Sequence, residues 1–226
     1  MSVLLHAIAD RALADPPRGL RGAALEFVAA GPLGVWASPV EGDAATRDDA
    51  FDHHRVVEAL CARQPCLPVR FGTRAADAEG ARSLVSARAE ELARALERVG
   101  RRRELAVTLL WLDAAARPGR GHAVEGGPPG RAFLERKRAA YEADERQRSR
   151  AEALARALEA GLSADQADVR HAFCPSPLVA LSTAILAPAG EADAMKERVV
   201  RVASGLGGVR AVVSGPWPPY TFAGAT

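Results

Sequence analysis

The order of strand-like and helix-like segments after residue 103 constrains the fold more than any other feature of this sequence. "ELAVTLLWL" (104–112) has the length and the β-branched and aromatic content of a strand, and a long charged helix is predicted from Gly130. Two strand-like segments follow, "ADVRHAFC" and "LVALSTAILA", then a helical pattern over 190–207 and a last strand over 209–215. This β-α-β-β-α-β order is the split βαβ pattern of ferredoxin-like domains. We therefore predict an α+β protein with ferredoxin-like elements.

The pattern of the first hundred residues predicts another α+β layer, related to the C-terminal one, with the order β-β-β-α-β-α. An apolar strand is expected over 2–9, and two more strands on either side of the turn at Gly31 and Pro32. Thr46 followed by Asp49 resembles a capping box, which predicts a helix start at that point. A single amphipathic helix is predicted over 76–99, with Gly100 just past its end.

We predict two domains, residues 1–100 and residues 101–226. The 226 residues are enough for two domains of ordinary size. The strand that begins at Glu104 could belong to either of them.

Composition narrows the class of protein. Hydrophobic residues make up 48% of the chain but aromatic residues only 5%, so a core rich in Ala, Leu and Val is expected. The net charge of +2 is too small to favour nucleic acid or an anionic membrane as a partner. No secretory segment opens the sequence and no apolar run is long enough to span a bilayer. We expect a soluble cytoplasmic protein.

The cysteine and histidine residues raise the question of a metal site. His53, His54, Cys61 and Cys66 are close in sequence, and His171 and Cys174 form a second pair. Their spacing does not match the tight ligand pairs of structural zinc sites, so buried free cysteines are the favoured interpretation. No nucleophile elbow, phosphate loop or metalloprotease motif is present in the sequence. We therefore predict no catalytic residues, no metal and no cofactor.

The segment "LPVRFGT" (67–73) is predicted to begin as extended backbone and to end in a turn. Pro68 forces an extended backbone and Gly72 permits a positive φ. On a strand, Val69 and Phe71 would face one side and Arg70 the other. The residues alone favour an ordinary strand end with Arg70 paired to a carboxylate, and the alternative is a recognition loop.

The C-terminal arm, residues 214–226, reads "SGPWPPYTFAGAT". Its three prolines fix φ and remove three backbone donors, so the arm cannot be helical or form a central strand. We predict an extended, polyproline-like arm that packs Trp217, Tyr220 and Phe222 against the body of the protein.

The two segments together resemble the gas vesicle protein F/L family. "HHRVVEALCARQPCLPVRFGT" is similar to a helix and "LP-x-RFGT" block of that family, and "SGPWPPYTFAG" is similar to its C-terminal "GPWPPYSF" signature. "RRELAVTLLW", "GRAFLERKR" and "PLVALSTAILA" lie between them in the family's order. The resemblance spans nearly the whole chain, and it transfers these motif positions: Leu67, Pro68, Arg70, Phe71, Gly72, Thr73, Gly215, Pro216, Trp217, Pro218, Pro219 and Tyr220.

The resemblance implies an accessory protein of gas vesicle assembly, with an F-like, L-like or merged subtype left open. Such a protein would bind the small hydrophobic shell protein and other accessory proteins, and it would not be an enzyme. The alternatives are a minor structural component of the vesicle wall and, less favoured, a small-molecule enzyme or sensor on a ferredoxin-like scaffold. We expect the motif residues to serve packing rather than partner contact, with Trp217 and Tyr220 fixing the two domains at one angle.

Overall fold

The computed structural model describes residues 2–42, 46–112, 129–162, 168–173, 176 and 178–224. Most of the glycine- and proline-rich loop expected over 117–130 lies outside the described residues, as does Cys174. The elements of the described chain, apart from two short 3-10 turns, are β1 Val3–Ala9, β2 Glu26–Ala30, β3 Leu33–Pro39, α1 Arg47–Arg63, β4 Leu67–Pro68, β5 Arg74–Ala75, α2 Ala78–Ser86, α3 Ala89–Val99, β6 Arg102–Trp111, α4 Pro129–Leu162, β7 Asp168–Ala172, β8 Val179–Pro188, α5 Ala192–Ser204 and β9 Val209–Trp217.

The chain divides into two compact units. The first contains Met1–Glu104, Leu186–Ala192 and Pro216–Thr226, and the second contains Leu105–Ile185 and Asp193–Gly215. The end of the chain is thus grouped with its beginning. The division into domains at residue 100 stays a prediction.

The first unit is built on an antiparallel sheet with the strand order β2-β3-β1-β4, in which β5 also pairs with β1. The hairpin predicted at Gly31 and Pro32 is confirmed, because Ala30 pairs with Leu33 and Gly31 has a φ of +73°. Gly34 is required for a different reason. A Cβ atom at this position would lie 2.4 Å from Cζ of Phe27 on the neighbouring strand.

Helix α1 begins where the sequence predicts it. The Thr46 side chain accepts a hydrogen bond from the Asp49 N–H (3.1 Å), and the Asp49 carboxylate accepts one from the Thr46 N–H (2.9 Å). The helix buries Val56 and Leu60 in a cluster with Trp36 of β3. This packing lays α1 against the sheet of the first unit.

The prediction of one helix over 76–99 is wrong. Two helices occupy this stretch, because α2 ends at Ser86 and the backbone of Arg88 (φ −128°, ψ 22°) leaves the helical region before α3 begins. The Arg88 guanidinium donates to both carboxylate oxygens of Glu91, at 3.0 and 2.7 Å, which holds the break in place. Gly100 ends α3 with a φ of +50°, as the sequence predicts.

The second unit contains a four-stranded sheet with the order β7-β8-β6-β9. Alternate residues of β6, from Leu105 to Trp111, are buried on one face of the sheet, and Leu181 and Ile185 of β8 are buried as well. Helices α4 and α5 contribute the buried residues Ala151, Ala155, Leu158, Val199 and Ala203. The chain as a whole is therefore a mixed α/β protein with two antiparallel sheets.

The apolar side chains of α4 are buried over only part of its length. Leu158 is buried and Leu154 is half-buried, but Phe133 and Tyr141 are exposed. Helical periodicity places these residues on one side of α4, yet only the C-terminal half of the helix is covered by other parts of the unit.

Candidate binding surface

The segment 67–73 belongs mainly to the core of the first unit. Leu67 and Pro68 form β4, which pairs with Ile8 and Ala7 of β1, and both are buried. The Val69 N–H continues the pairing by donating to the His6 carbonyl at 2.9 Å. Hydrophobic and proline residues of this segment therefore close one edge of the sheet.

The second half of the segment turns at the surface. Gly72 has a φ of +91°, and the Thr73 N–H donates to the Arg70 carbonyl at 3.2 Å. Phe71 is partly buried against His53, with 5.4 Å between ring centroids, whereas Arg70 is exposed. The positive φ at Gly72 is confirmed. Among the described residues no carboxylate forms an ion pair with Arg70, so the predicted pairing of this side chain is absent there.

A pair of buried histidines lies behind this turn, and no motif in the sequence predicts it. His6 of β1 stacks on His53 of α1 with 4.8 Å between ring centroids. His6 Nε2 is 2.9 Å from Ser38 Oγ, and His53 Nε2–H donates to the Val69 carbonyl at 2.9 Å. Both Nδ1 atoms are buried without a hydrogen-bond partner among the described residues.

Burial keeps both histidines neutral. Desolvation, helped by the neighbouring His53, lowers the pKa of His6 to about 3. Desolvation also lowers the pKa of His53, although the hydrogen bond to the Val69 carbonyl opposes this shift. The strand residue His6 could have been suspected from the sequence only as a polar interruption of an apolar run.

The side chains considered for a metal site have separate partners. Cys61 and Cys66 are joined by a disulfide, which corrects the prediction of free cysteines. Helix α1 ends at Arg63 and the chain reverses, so the two Cα atoms lie only 5.5 Å apart. His171 lies 2.9 Å from both Thr183 Oγ1 and Glu159 Oε1. No group of three or more metal-binding side chains occurs in the part of the chain that the structure describes.

The C-terminal arm begins as the end of an edge strand. Gly215, Pro216 and Trp217 are the last residues of β9, which lies at the edge of its sheet, where a proline costs no ladder hydrogen bond. Pro218 and Pro219 are buried, and the backbone then turns. The Tyr220 N–H donates to the Pro218 carbonyl at 2.8 Å, and the Ala223 N–H donates to the Pro219 carbonyl at 3.1 Å. The arm is thus extended only as far as Trp217.

Two side-chain hydrogen-bond partners and one buried aromatic ring fix the arm on its inner side. The Glu104 carboxylate accepts hydrogen bonds from the Thr221 N–H (2.8 Å) and the Thr221 hydroxyl (2.7 Å). The Arg98 guanidinium donates to the Phe222 carbonyl at 3.2 Å, and the Phe222 side chain is only 1% exposed. Neither Glu104 nor Arg98 has a sequence signal that marks it as an anchor, because each is more than a hundred residues from its partner.

The outer side of the arm presents aromatic rings next to α1. Trp217 is 40% exposed and meets His54 edge-on, with 5.6 Å between ring centroids. Phe51, one turn before His54 on α1, is also exposed. Tyr220 is half-buried, and burial together with the charge of Glu58 raises its pKa to about 12. We call Phe51, His54, Trp217 and Tyr220 the aromatic surface.

All four residues of the aromatic surface belong to the first compact unit. The two motifs have different places in the fold: segment 67–73 completes the core, whereas the arm carries an anchored aromatic patch. Such a patch can bind an apolar partner, because its rings are held in place before binding. No helix in the described part of the chain is long and apolar enough to cross a membrane.

Fold and surface thus define a two-unit α/β protein with an exposed aromatic surface, and comparisons with known proteins supply the family. Residues 3–224 match the family model described as "Gas vesicle synthesis protein GvpL/GvpF". The chain belongs to this family of gas vesicle proteins, and membership implies a role in gas vesicle formation. This match confirms the family that the two motifs indicate. The family is described by gas vesicle synthesis and not by an enzymatic reaction.

Individual relatives agree with the family. The chain is 32% identical over 191 residues to gas vesicle protein L of Streptomyces sp. (strain CB03234), covering 78% of this chain and 69% of the relative. The crystal structure of GvpF from Anabaena sp. PCC7120 matches with a TM-score of 0.74 at 17% identity, covering 98% of this chain and 95% of that one. GvpF from Microcystis aeruginosa matches with a TM-score of 0.73 at 16% identity and 98% coverage of both chains.

Proposed function

We propose that this protein is an accessory factor of gas vesicle assembly that binds the hydrophobic shell protein. It acts in the cytoplasm, in association with growing vesicles and other accessory proteins. A shell subunit with exposed apolar surface aggregates when it is alone, and a protein that covers this surface during assembly prevents the loss. Family membership supports the role in vesicle formation, and the aromatic surface supports the mode of binding.

The main support for the proposal is that Trp217 is exposed although the residues next to it are buried and hold the segment in place. Trp217 is 40% exposed, yet Pro218, Pro219 and Phe222 next to it are buried. A large ring held in this way loses little conformational entropy when a partner covers it. Tryptophan and tyrosine are also the residue types that most often dominate the free energy of protein–protein binding.

The motif residues divide between two roles in this proposal. Leu67, Pro68, Phe71, Gly72 and Thr73 shape the sheet edge and its turn, and Arg70 offers an exposed charge to a partner. Gly215, Pro216, Pro218 and Pro219 set the path of the arm, so that Trp217 stays exposed and Tyr220 half-buried. This division differs from our expectation that the aromatic residues of the arm serve packing alone.

The finer features of the fold are part of the same proposal. The order β7-β8-β6-β9 together with the element order β-α-β-β-α-β supports a ferredoxin-like second domain. The domain limits of 1–100 and 101–226 and the fixing of the two domains by Trp217 and Tyr220 stay predictions. The grouping of residues 216–226 with the first unit supports an arm that returns to the N-terminal domain.

Co-expression with the shell protein tests the binding role. The fraction of shell protein that remains soluble and co-purifies with this chain is measured for the wild type, for Trp217→Ala and for Leu84→Ala. Leu84 is a matched control, because it is an exposed apolar residue of α2 outside the aromatic surface. We expect the wild type and Leu84→Ala to retain shell protein, and Trp217→Ala to lose most of it while keeping the circular dichroism spectrum of the folded chain and a thermal midpoint above the assay temperature.

Two results would overturn the proposal. Folded wild-type protein that captures no shell protein would exclude direct binding, and quantification of the chain in washed intact vesicles would then test the alternative of a wall component. Equal capture by Trp217→Ala and wild type would exclude the aromatic surface. If Trp217→Ala unfolds, the exposed α1 residue Phe51 provides the second variant, because Phe51→Ala removes a ring of the same surface without touching the arm.

A further inference from the structure

Helix α4 extends well beyond the part of it that is packed. Its 34 residues span about 50 Å at 1.5 Å per residue. The buried residues Ala151, Ala155, Leu158 and Leu162 all lie in the C-terminal half. Between residues 133 and 150, no described side chain is buried. This N-terminal half of α4 is therefore a helical surface that the rest of the described chain does not cover.

Large apolar side chains lie on this uncovered half and share one face. Phe133, Leu134 and Tyr141 are 56%, 65% and 72% exposed. Phe133 and Tyr141 are separated by two turns, and five turns separate Phe133 from the buried Ala151, so the exposed rings continue the line of the packed face. An exposed apolar stripe of this kind on the uncovered half of a helix indicates a binding site.

The charges on either side of Tyr141 indicate which partner fits. Within four residues of Tyr141 the charges before it are all basic, Lys137 and Arg138, and the charges after it are all acidic, Glu142, Asp144 and Glu145. Two copies of the helix that run antiparallel and cross at Tyr141 place Lys137 opposite Glu145, twice by symmetry. A parallel pair would instead place like charges opposite each other. The pattern is thus self-complementary in the antiparallel direction only.

We propose that the N-terminal half of α4 is a self-association surface. It pairs with the same surface of a second copy of this chain as an antiparallel helix pair centred on Tyr141. Phe133 and Leu134 cover the two ends of the pair, and the basic and acidic segments set its direction and register. This inference is independent of shell-protein binding, because the surface belongs to the other compact unit.

Charge reversal with rescue tests the proposal on the purified full-length chain. Arg138 already bonds to Glu142 within its own helix (3.0 Å), so the variants use Lys137 and Glu145 instead. Sedimentation velocity over a range of concentrations gives the dissociation constant for the wild type, Lys137→Glu, Glu145→Lys and the double variant carrying both. Arg146→Glu is the control, because it makes the same charge change on the opposite side of α4.

We expect the wild type and Arg146→Glu to associate with similar dissociation constants. Each single reversal replaces two attractive contacts with two repulsive ones and should weaken association about tenfold or more. The double variant should return to near the wild-type value, and high salt should weaken association of the wild type. A wild type that stays monomeric at every concentration overturns the proposal. So does a double variant that associates no better than the singles.

Discussion

The two motifs of this chain differ in what is buried. In segment 67–73 the apolar residues Leu67 and Val69 are inside the sheet edge, and a charged side chain, Arg70, points to solvent. In the arm the order is reversed, because prolines and Phe222 are buried and the largest ring, Trp217, stays exposed. Both motifs are recognisable in the sequence, but only the second one places a large apolar group at the surface.

This difference indicates that the two motifs have different roles, one in packing and one in binding. A buried apolar segment with a positive-φ glycine is required by packing and by the backbone, whatever the protein binds. An exposed tryptophan contributes less to the free energy of folding than a buried ring does. Fixing it in place with buried neighbours is therefore more typical of a binding residue. The predictions below test whether the two motifs divide in this way.

The largest expected effect separates the buried from the exposed ring of the arm. Phe222→Ala should lower the free energy of unfolding by about 3–5 kcal/mol, because it empties a fully buried site. Trp217→Ala should cost less, about 1–2 kcal/mol, since part of that ring already faces water. Urea unfolding followed by circular dichroism measures both. Equal losses for the two variants would contradict the assignment of Trp217 to binding.

Acid should act on the core behind segment 67–73. The pKa of His6 is about 3 in the folded chain, below its ordinary value of 6.5, and the pKa of His53 is also lowered. Above pH 6.5 both histidines are neutral in the folded and unfolded states. As the pH falls below 6.5, the unfolded chain binds protons that the folded chain does not, so stability falls, and for His6 this loss continues down to about pH 3.

The measurement is the free energy of unfolding between pH 7 and pH 5, where most carboxylates stay ionised. Each buried histidine should contribute a slope of up to about 1.4 kcal/mol per pH unit. His6→Gln removes one titrating group and should flatten the slope, whatever it does to stability at pH 7. An unchanged slope would mean that His6 binds protons equally in the folded and unfolded chains, which would contradict the lowered pKa.

Local signals in the sequence predicted the elements that depend on near neighbours. The capping box at Thr46, the hairpin at Gly31 and the helix end at Gly100 each depend on residues within a few positions. The strand order of the sheets and the small strand β5 depend on pairings between distant residues, and β5 was missed. The break at Arg88 was also missed, because the apolar period runs unbroken from Val85 to Leu92 across it.

The candidate surface was predictable in its residue types but not in its geometry. The sequence marked Trp217 and Tyr220, but it could not show that His54 of α1 would lie beside Trp217, or that Phe51, one turn before His54, would be exposed. It likewise could not pair Glu104 with Thr221 or Arg98 with Phe222. Exposure is the property it predicted least well: Phe133 and Tyr141 fit a core period and are nevertheless at the surface.

A smaller loss is expected when the anchor of the arm is weakened. Glu104→Gln keeps the size of the side chain but replaces a carboxylate that accepts two hydrogen bonds from Thr221. We expect a loss of about 1.5–3 kcal/mol in the free energy of unfolding, the range for hydrogen bonds to a charged group. Thr221→Val should remove only the hydroxyl contact and cost less. A Glu104→Gln loss that Thr221→Val fully reproduces would place the anchor in the hydroxyl and not in the backbone N–H.

The smallest effect concerns the glycine of segment 67–73. Gly72 has a φ of +91° and a Cβ built there would contact nothing within 4 Å, so Gly72→Ala should destabilise by about 1 kcal/mol through backbone strain alone. Gly80→Ala is the matched control, because Gly80 lies in α2, where alanine is favoured, and its nearest neighbours would be 3.5 and 3.6 Å from the new Cβ. That control should stabilise the chain by about 0.4–1 kcal/mol. Opposite signs for the two substitutions would show that the glycine of the motif is required by its backbone conformation. Loss of shell-protein capture by a folded Gly72→Ala chain would instead show that the turn itself is part of a binding surface.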